Sequence, residues 1–264
     1  MERLWNFVLI GNTRSGVGAI ASTLNSRPSV VCHVGLFSAD DATRKEAHEA
    51  YFGECESPKS APSWFIRGNS ESVEHTSLWQ YLTKVFDTPK REETSIGVQV
   101  DYEAVSSLEM YDTFYQKYQI GGFGIIHVVR NPVACFISLK QAQHSNIWQR
   151  TYGKTESQKI PLPIRIEPNE LTEFCRNSLA IRGKINACCD DKLIVQYSDL
   201  LCEFHKTMLA VFDHVELPIT AKLAKSKLLR LRNKTMQERV TNWSELIKAT
   251  PSDVRSLLEA EDLV

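Results

Sequence analysis

The feature that most constrains the fold lies at the start of the chain. Residues 4–10 (LWNFVLI) read as a short buried strand that runs directly into Gly11-Asn12-Thr13-Arg14-Ser15-Gly16-Val17-Gly18. Residues 16–24 then read as a helix. A strand, a turn of small residues and a helix make the opening of an α/β unit. Small residues let backbone N–H groups approach an anion, and the helix N-terminus adds partial positive charge. The chain therefore opens on a candidate phosphate loop.

The same alternation continues along the sequence. Arg27-Pro28 ends the first helix, and residues 30–34 read as a second strand. Residues 40–51 form a charged helical pattern, 54–62 a Ser/Pro-rich loop and 72–86 an amphipathic helix. Residues 95–100 (SIGVQV) are strand-like, and a helix over 102–118 is closed by Gly121-Gly122. Residues 123–129 (FGIIHVV) form the most strongly apolar strand, with His127 in its middle reading as a core residue. Pro132 opens the next helix in the first turn, where proline is tolerated. The stretch 150–168 carries prolines at 161, 163 and 168 and is expected to be an irregular loop bordering a site. A helix over 171–188, a strand over 192–196 and a helix over 200–214 follow. The chain is then basic through 222–234, with short helices over 244–248 and 252–259. Strands alternating with helices imply a doubly wound α/β domain: a P-loop-like three-layer fold with a central parallel sheet flanked by helices. We expect one domain spanning 1–264, with ligands beyond the carboxyl ends of the strands.

Composition limits what the anion can be. With 42% apolar residues over 264 positions, the chain can bury a sizeable core. Lys+Arg 31 against Asp+Glu 32 leaves a formal charge of −1, so no global field draws it to nucleic acid or an anionic membrane. Positive charge for a polyanionic ligand must be local. The 7 cysteines show no C-x-x-C spacing, and adjacent Cys188 and Cys189 are expected to point different ways on a helix. Reduced thiols in a cytoplasmic protein are expected, with no disulfide and no metal site. The N-terminus lacks a signal-peptide pattern and no apolar run is long enough to span a bilayer.

A nucleoside triphosphate is the obvious rival ligand. Gly11 and Gly16 have Walker spacing, but Val17 stands where the lysine belongs and Gly18 where the magnesium-binding hydroxyl belongs. The loop's cation is Arg14. This points to an anionic donor that needs no metal.

The segment NTRSGVGAIASTLNSRPSVVCHVGLF (12–37) resembles the opening of the sulfotransferases, whose loop binds the 5′-phosphosulfate of PAPS (3′-phosphoadenosine-5′-phosphosulfate). Arg14, Ser15 and Gly16 match the family pattern, while Val17 and Gly18 replace its two threonines. The resemblance implies that Asn12, Thr13, Arg14, Ser15, Gly16, Val17 and Gly18 hold the 5′ end, largely through backbone N–H groups. The segment IHVVRNPVACFIS (126–138) resembles the family's 3′-phosphate motif, an Arg with a Ser eight positions later; here these are Arg130 and Ser138. A guanidinium offers phosphate paired donors and the hydroxyl adds another. The segment LIVQYSDL (193–200) resembles the family's strand-to-helix stretch and makes Tyr197 a nucleotide-pocket candidate. The segment LRLRNKTMQERVTNWSEL (229–246) resembles the loop that wraps the 3′-phosphate, making Arg232, Asn233 and Lys234 candidates, with Arg230 behind them. The segment SLKQAQHSNIW (138–148) resembles the bacterial trehalose-type branch, in which it borders the acceptor site. His144, beside Trp148, is the favoured acceptor-site candidate, ahead of His75, and Gln99 is a further candidate.

In sulfuryl transfer, charge builds on the leaving phosphate oxygen, and Arg14 is the group to neutralise it. A hydroxyl acceptor needs a general base. Relatives carry a glutamate two positions before the Phe of a Gly-Glu-Leu-Phe segment; here His33-Val34-Gly35-Leu36-Phe37 puts Gly35 there. Asp101, at the end of a strand, and His33 both remain as candidate bases. The expected activity is PAPS-dependent transfer to a hydroxyl or nitrogen of a small molecule or sugar, by a protein that could form a homodimer. The alternatives are a P-loop-type nucleotide or sugar kinase, and a catalytically degenerate relative that binds PAP, the 3′,5′-bisphosphate product, without turnover.

Overall fold

The computed structural model describes residues 5–27, 29–37, 95–107, 123–146, 162–217 and 235–260. Within them, five strands form one parallel sheet: β1 (Trp5–Gly11), β2 (Val30–Phe37), β3 (Ser95–Asp101), β4 (Gly124–Val129) and β5 (Leu193–Gln196). Their order is β2-β3-β1-β4-β5, and each neighbouring pair is parallel. The α/β architecture expected from the sequence is therefore present. The chain leaves β1 toward the β3 side to build β2, and later returns past β1 to build β4. That reversal puts the ligand crevice beyond the carboxyl ends of β1, β3 and β4.

Alternation of side chains along the strands explains how the sheet is covered. Phe7 and Leu9 of β1 share a face with Ile126 and Val128 of β4 and with Val195 of β5. Against this face lie α1 (Val17–Leu24), through Val17, Ile20 and Leu24, and α6 (Phe204–His214), through Met208, Val211 and Phe212. Gly97 makes the packing possible. It sits opposite Phe7 in the register, and a Cβ there would lie 2.0 Å from Phe7 Cε2. Helices α2 (Tyr102–Ser107), α3 (Pro132–Ser145) and α4 (Pro168–Cys188) follow β3 and β4 in the chain. A second cluster joins α3 and α4 to α7 (Trp243–Ala249) and α8 (Ser252–Glu259), with Phe136 and Phe174 in ring contact at 5.1 Å.

Residues 235–260 are tied to this second layer by backbone and side chain together. Ile164 and Val240 form an isolated parallel bridge. Asn242 closes a reciprocal pair with Ile166, accepting its N–H at 3.0 Å and donating to its carbonyl at 2.9 Å. The buried Arg239 guanidinium donates twice to Gln141 Oε1, at 2.9 and 2.7 Å. Arg176 of α4 pairs with Asp253 of α8 at 2.9 Å.

Several local expectations change. The second strand runs on to Phe37 rather than stopping at 34. Its register shifts between His33 and Phe37, and Gly35 takes a φ of 89°, a bulge conformation that glycine adopts without steric cost. The helix expected over 200–214 is two helices, α5 (Tyr197–Cys202) and α6. Glu203, at φ −129°, serves as the C-cap of one and the N-cap of the other. Cys188 and Cys189 do not point apart. The helix ends at Cys188, the extended Cys189 swings its side chain back, and the two sulfurs lie 3.3 Å apart. The expected elements at 40–51, 54–62 and 72–86, the later part of the 102–118 helix, most of the 150–168 stretch and all of 222–234 lie outside the described residues. No helix among the described residues is long and apolar enough to cross a membrane.

Candidate active site

The loop after β1 is shaped to receive an anion. Ser15 N–H donates to the Asn12 carbonyl at 2.9 Å, closing a tight turn. Arg14 and Gly16 both have positive φ, 71° and 101°. This alternation turns successive N–H groups to one concave side. Gly16 is the N-cap of α1 and no side chain caps that helix, so its first N–H groups keep their capacity for a ligand. Glycine is also required at position 11, where a Cβ would meet Ser15 Oγ at 2.6 Å and the Val128 carbonyl at 3.0 Å. A Cβ on Gly18 would meet nothing within 4 Å; the departure from the family pattern there leaves open space. Ser15 Oγ is fully buried without a hydrogen-bond partner among the described residues. Leaving such a group unmatched costs about 1–3 kcal/mol. The Asn12 side chain turns away from the loop and donates to Ser178 Oγ at 2.8 Å. Val17 buries its side chain and Thr13 is half-buried.

The second motif closes on the first. Arg130 leaves the carboxyl end of β4, and its Nη1 donates to the Arg14 carbonyl at 3.0 Å. Its guanidinium carbon lies 3.9 Å over the Tyr197 ring. Tyr197, at the start of α5, in turn packs against the loop: a Cβ on Gly16 would lie 3.0 Å from its Cδ2. Arg14 Nε donates to Ser138 Oγ at 3.2 Å. Ser138 is carried there by α3, whose start is set by Pro132 and by Asn131 Oδ1 accepting the Val133 N–H at 2.9 Å. Arg14, Arg130, Ser138 and Tyr197, drawn from three separate segments, thus form one contact chain. Burial first, and the charge of Arg130 second, push the Arg14 guanidinium below the usual arginine range. An anion between the two guanidinium groups would relieve that repulsion.

Asp101 ends β3 directly opposite Gly11, so its carboxylate stands beside the loop. Burial raises it from 3.8 to about 6, with the Gln99 hydrogen bond opposing and Glu103 adding to the rise. Gln99 Nε2 donates to Asp101 Oδ1 at 3.4 Å, and Gln99 Oε1 is buried without a partner among the described residues. His33 lies opposite Val98, three residues before Asp101 and so about 10 Å back from the strand ends at ~3.3 Å per residue. The structure brings Asp101 to the loop and leaves His33 along the sheet. His144 is exposed on the last turn of α3. Trp148, Arg230, Arg232, Asn233 and Lys234 lie outside the described residues.

The sequence reading passed over Ser178 and Arg182 of α4, which border this crevice. Their signal was available: α4 buries Leu171, Cys175, Ser178 and Ile185 along one stripe, and a polar residue at helical spacing within an apolar stripe calls for a partner. It also passed over the buried Gln141–Arg239 pair, one turn from Ser138.

No protein-family model matches this chain, and no curated protein does. Among solved structures, it is similar to a sulfotransferase from Alicyclobacillus acidocaldarius, with 12% identity and a TM-score of 0.49, covering 97% of this chain and 94% of that one. It is also similar to the sulfotransferase domain of the olefin synthase from Synechococcus PCC 7002, with 14% identity and a TM-score of 0.45, covering 98% of this chain and 95% of that one.

Proposed function

We propose that the protein is a sulfotransferase that uses PAPS to sulfate a hydroxyl or nitrogen of a small molecule or sugar. The observation that carries this reading is the contact chain from Arg14 to Ser138 and from Arg130 to Tyr197. It joins two anion-binding segments at the ends of different strands closely enough for one nucleotide to bridge them. The residues fit such a ligand: the loop offers uncapped N–H groups and an unmatched Ser15 hydroxyl, and the space before Gly18 is open.

When bound, PAPS supplies the sulfuryl group and the phosphate oxygen that leaves with the bonding electron pair. The N–H groups from Arg14 to Gly18, with Ser15 Oγ, would hold its 5′ end. Arg130 and Ser138 would hold the 3′-phosphate, and the Tyr197 ring would flank the adenosine. Arg14 neutralises charge at the leaving oxygen by hydrogen bonding alone, because a guanidinium does not give up its proton. Asp101 takes the acceptor's proton, a task for which a carboxyl held at about 6 is well matched near neutral pH. Gln99 positions that carboxylate.

The test has two parts. Calorimetry with PAP in the absence of magnesium should show saturable binding, and incubation with PAPS and a panel of alcohols and amines should give a product heavier by one SO₃. Absence of PAP binding overturns the reading. Binding with no product from any acceptor identifies a PAP-binding protein without turnover.

A further inference from the structure

Cys188 and Cys189 lie outside the machinery of sulfuryl transfer. Helix α4 meets the phosphate loop through Ser178, which accepts from Asn12, and it ends ten residues later at Cys188, about 15 Å away at ~1.5 Å per residue. There the chain turns back into β5. Neighbouring side chains diverge around a helix and point to opposite faces of a strand. Here the backbone passes from helical at Cys188 to extended at Cys189, with φ −137° and ψ 102°. That single change of conformation brings the two sulfurs to 3.3 Å on one side of the chain. Lys192 holds the arrangement, its Nζ donating to the carbonyls of Cys189 and Asn186.

The two thiols are not equivalent. Cys188 is half-buried and donates to the Ile185 carbonyl at 3.5 Å. Cys189 is fully buried. Its hydrogen bond with Cys188 first, and burial second, push its thiol above the usual range, so it keeps its proton at neutral pH. We propose that Cys188 and Cys189 are a modification site, a dithiol that hydrogen peroxide closes to a disulfide between neighbouring residues and that added thiol reopens. Cys188 is the sulfur that solvent reaches. It attacks one peroxide oxygen, the O–O bond breaks, and the departing hydroxide takes the Cys188 proton as water, leaving a sulfenic acid. Cys189 then attacks the Cys188 sulfur, the S–OH bond breaks, and that hydroxide leaves as water with the Cys189 proton. The two sulfurs lose two electrons and the peroxide gains them. Neighbouring Cα atoms lie about 3.8 Å apart, closer than the roughly 4.4–6.8 Å usual for a disulfide. The closed ring is therefore strained and readily reduced, as in a regulatory rather than a structural bridge.

Trypsin reads the site out directly. The peptide 185–192 (INACCDDK), bounded by Lys184 and Lys192, holds both cysteines and no other. Folded protein is treated with hydrogen peroxide, its remaining thiols are alkylated, and it is digested. Peptide 185–192 is expected two hydrogens lighter and free of alkyl groups, and dithiothreitol before alkylation should restore both thiols. In Cys189→Ser the sulfenic acid on Cys188 has no neighbour to close on and should be trapped by dimedone. A peptide that still takes two alkyl groups after the exposed Cys202 has been oxidised overturns the proposal. Cys188 recovered in a bridge to any cysteine other than Cys189 also overturns it. A second probe needs neither oxidant nor variant. Phenylarsine oxide condenses with two converging thiols, forming two As–S bonds while its oxygen leaves with both thiol protons as water. One phenylarsenic bridge on peptide 185–192 is expected from the folded protein. Uptake there in urea but not in the native state would show that the fold holds the sulfurs apart and would overturn the proposal.

Discussion

Replacing Asp101 by asparagine separates two consequences of its burial. The carboxyl titrates at about 6 in the fold against an ordinary 3.8. Between those values the folded protein keeps a proton that the unfolded chain has already lost. More protons bound in the folded state mean that stability falls as pH rises through that window. Above it, the ionised carboxylate costs the fold up to about 3 kcal/mol, at ~1.36 kcal/mol per tenfold change in proton affinity. Asp101→Asn removes the charge without changing the side chain's size. The variant should therefore match wild type in urea unfolding near about pH 4 and be the more stable protein near about pH 8. Activity should move the other way. Wild-type kcat/KM should climb with pH and level off above about 6, whereas the variant should lose on the order of 10²–10⁴ in rate, together with that acid limb. A stability difference that is the same at both pH values would refute the raised titration. An acid limb that persists in Asp101→Asn would assign the base elsewhere, with His33 next to be tested.

Three further outcomes follow from the contacts. Arg130→Ala should raise the PAP dissociation constant at least tenfold by calorimetry, since one charge-assisted bond to phosphate is worth about 1.5–3 kcal/mol; a change under twofold removes the 3′-phosphate assignment. Gly97→Ala drives a Cβ to 2.0 Å from the buried Phe7 ring and should destabilise the fold by about 1–3 kcal/mol in denaturant unfolding, with neutral behaviour contradicting the packing of β3 on β1. Gln141→Leu takes away the acceptor of two Arg239 bonds inside the protein and should cost about 2–3 kcal/mol; an unchanged unfolding midpoint would show that the pair is not buried.

What could be read from the sequence follows the range of the interactions involved. The loop at 11–18, Arg130 with Ser138, and Tyr197 each announce themselves within a few residues, because strand, turn and helix signals are local. The order β2-β3-β1-β4-β5 agrees with the alternating pattern, yet that pattern alone does not assign neighbours. The relative placement of Asp101 and His33 is set by the register, which puts Asp101 at a strand end opposite Gly11 and His33 opposite Val98, three positions before it. Asn12 matched a loop motif, but its side chain answers to Ser178, 166 positions away. Gln141 and Arg239, 98 positions apart, look like ordinary surface residues until the fold buries them together. The break at Glu203 and the contact of Cys188 with Cys189 depend on backbone angles at single residues, below what periodicity resolves.

The anchoring of residues 235–260 has a practical consequence. The Arg239–Gln141 clamp, the Ile164–Val240 bridge, the reciprocal Asn242–Ile166 bonds and the Arg176–Asp253 pair all reach back to the body of the protein through space. None of them runs through the covalent link at Thr235. Residues 1–234 and 235–264 produced as two separate chains should elute together from a sizing column and part only in denaturant. The C-terminal piece could then be prepared separately, labelled for spectroscopy and returned to the larger fragment to rebuild the intact molecule.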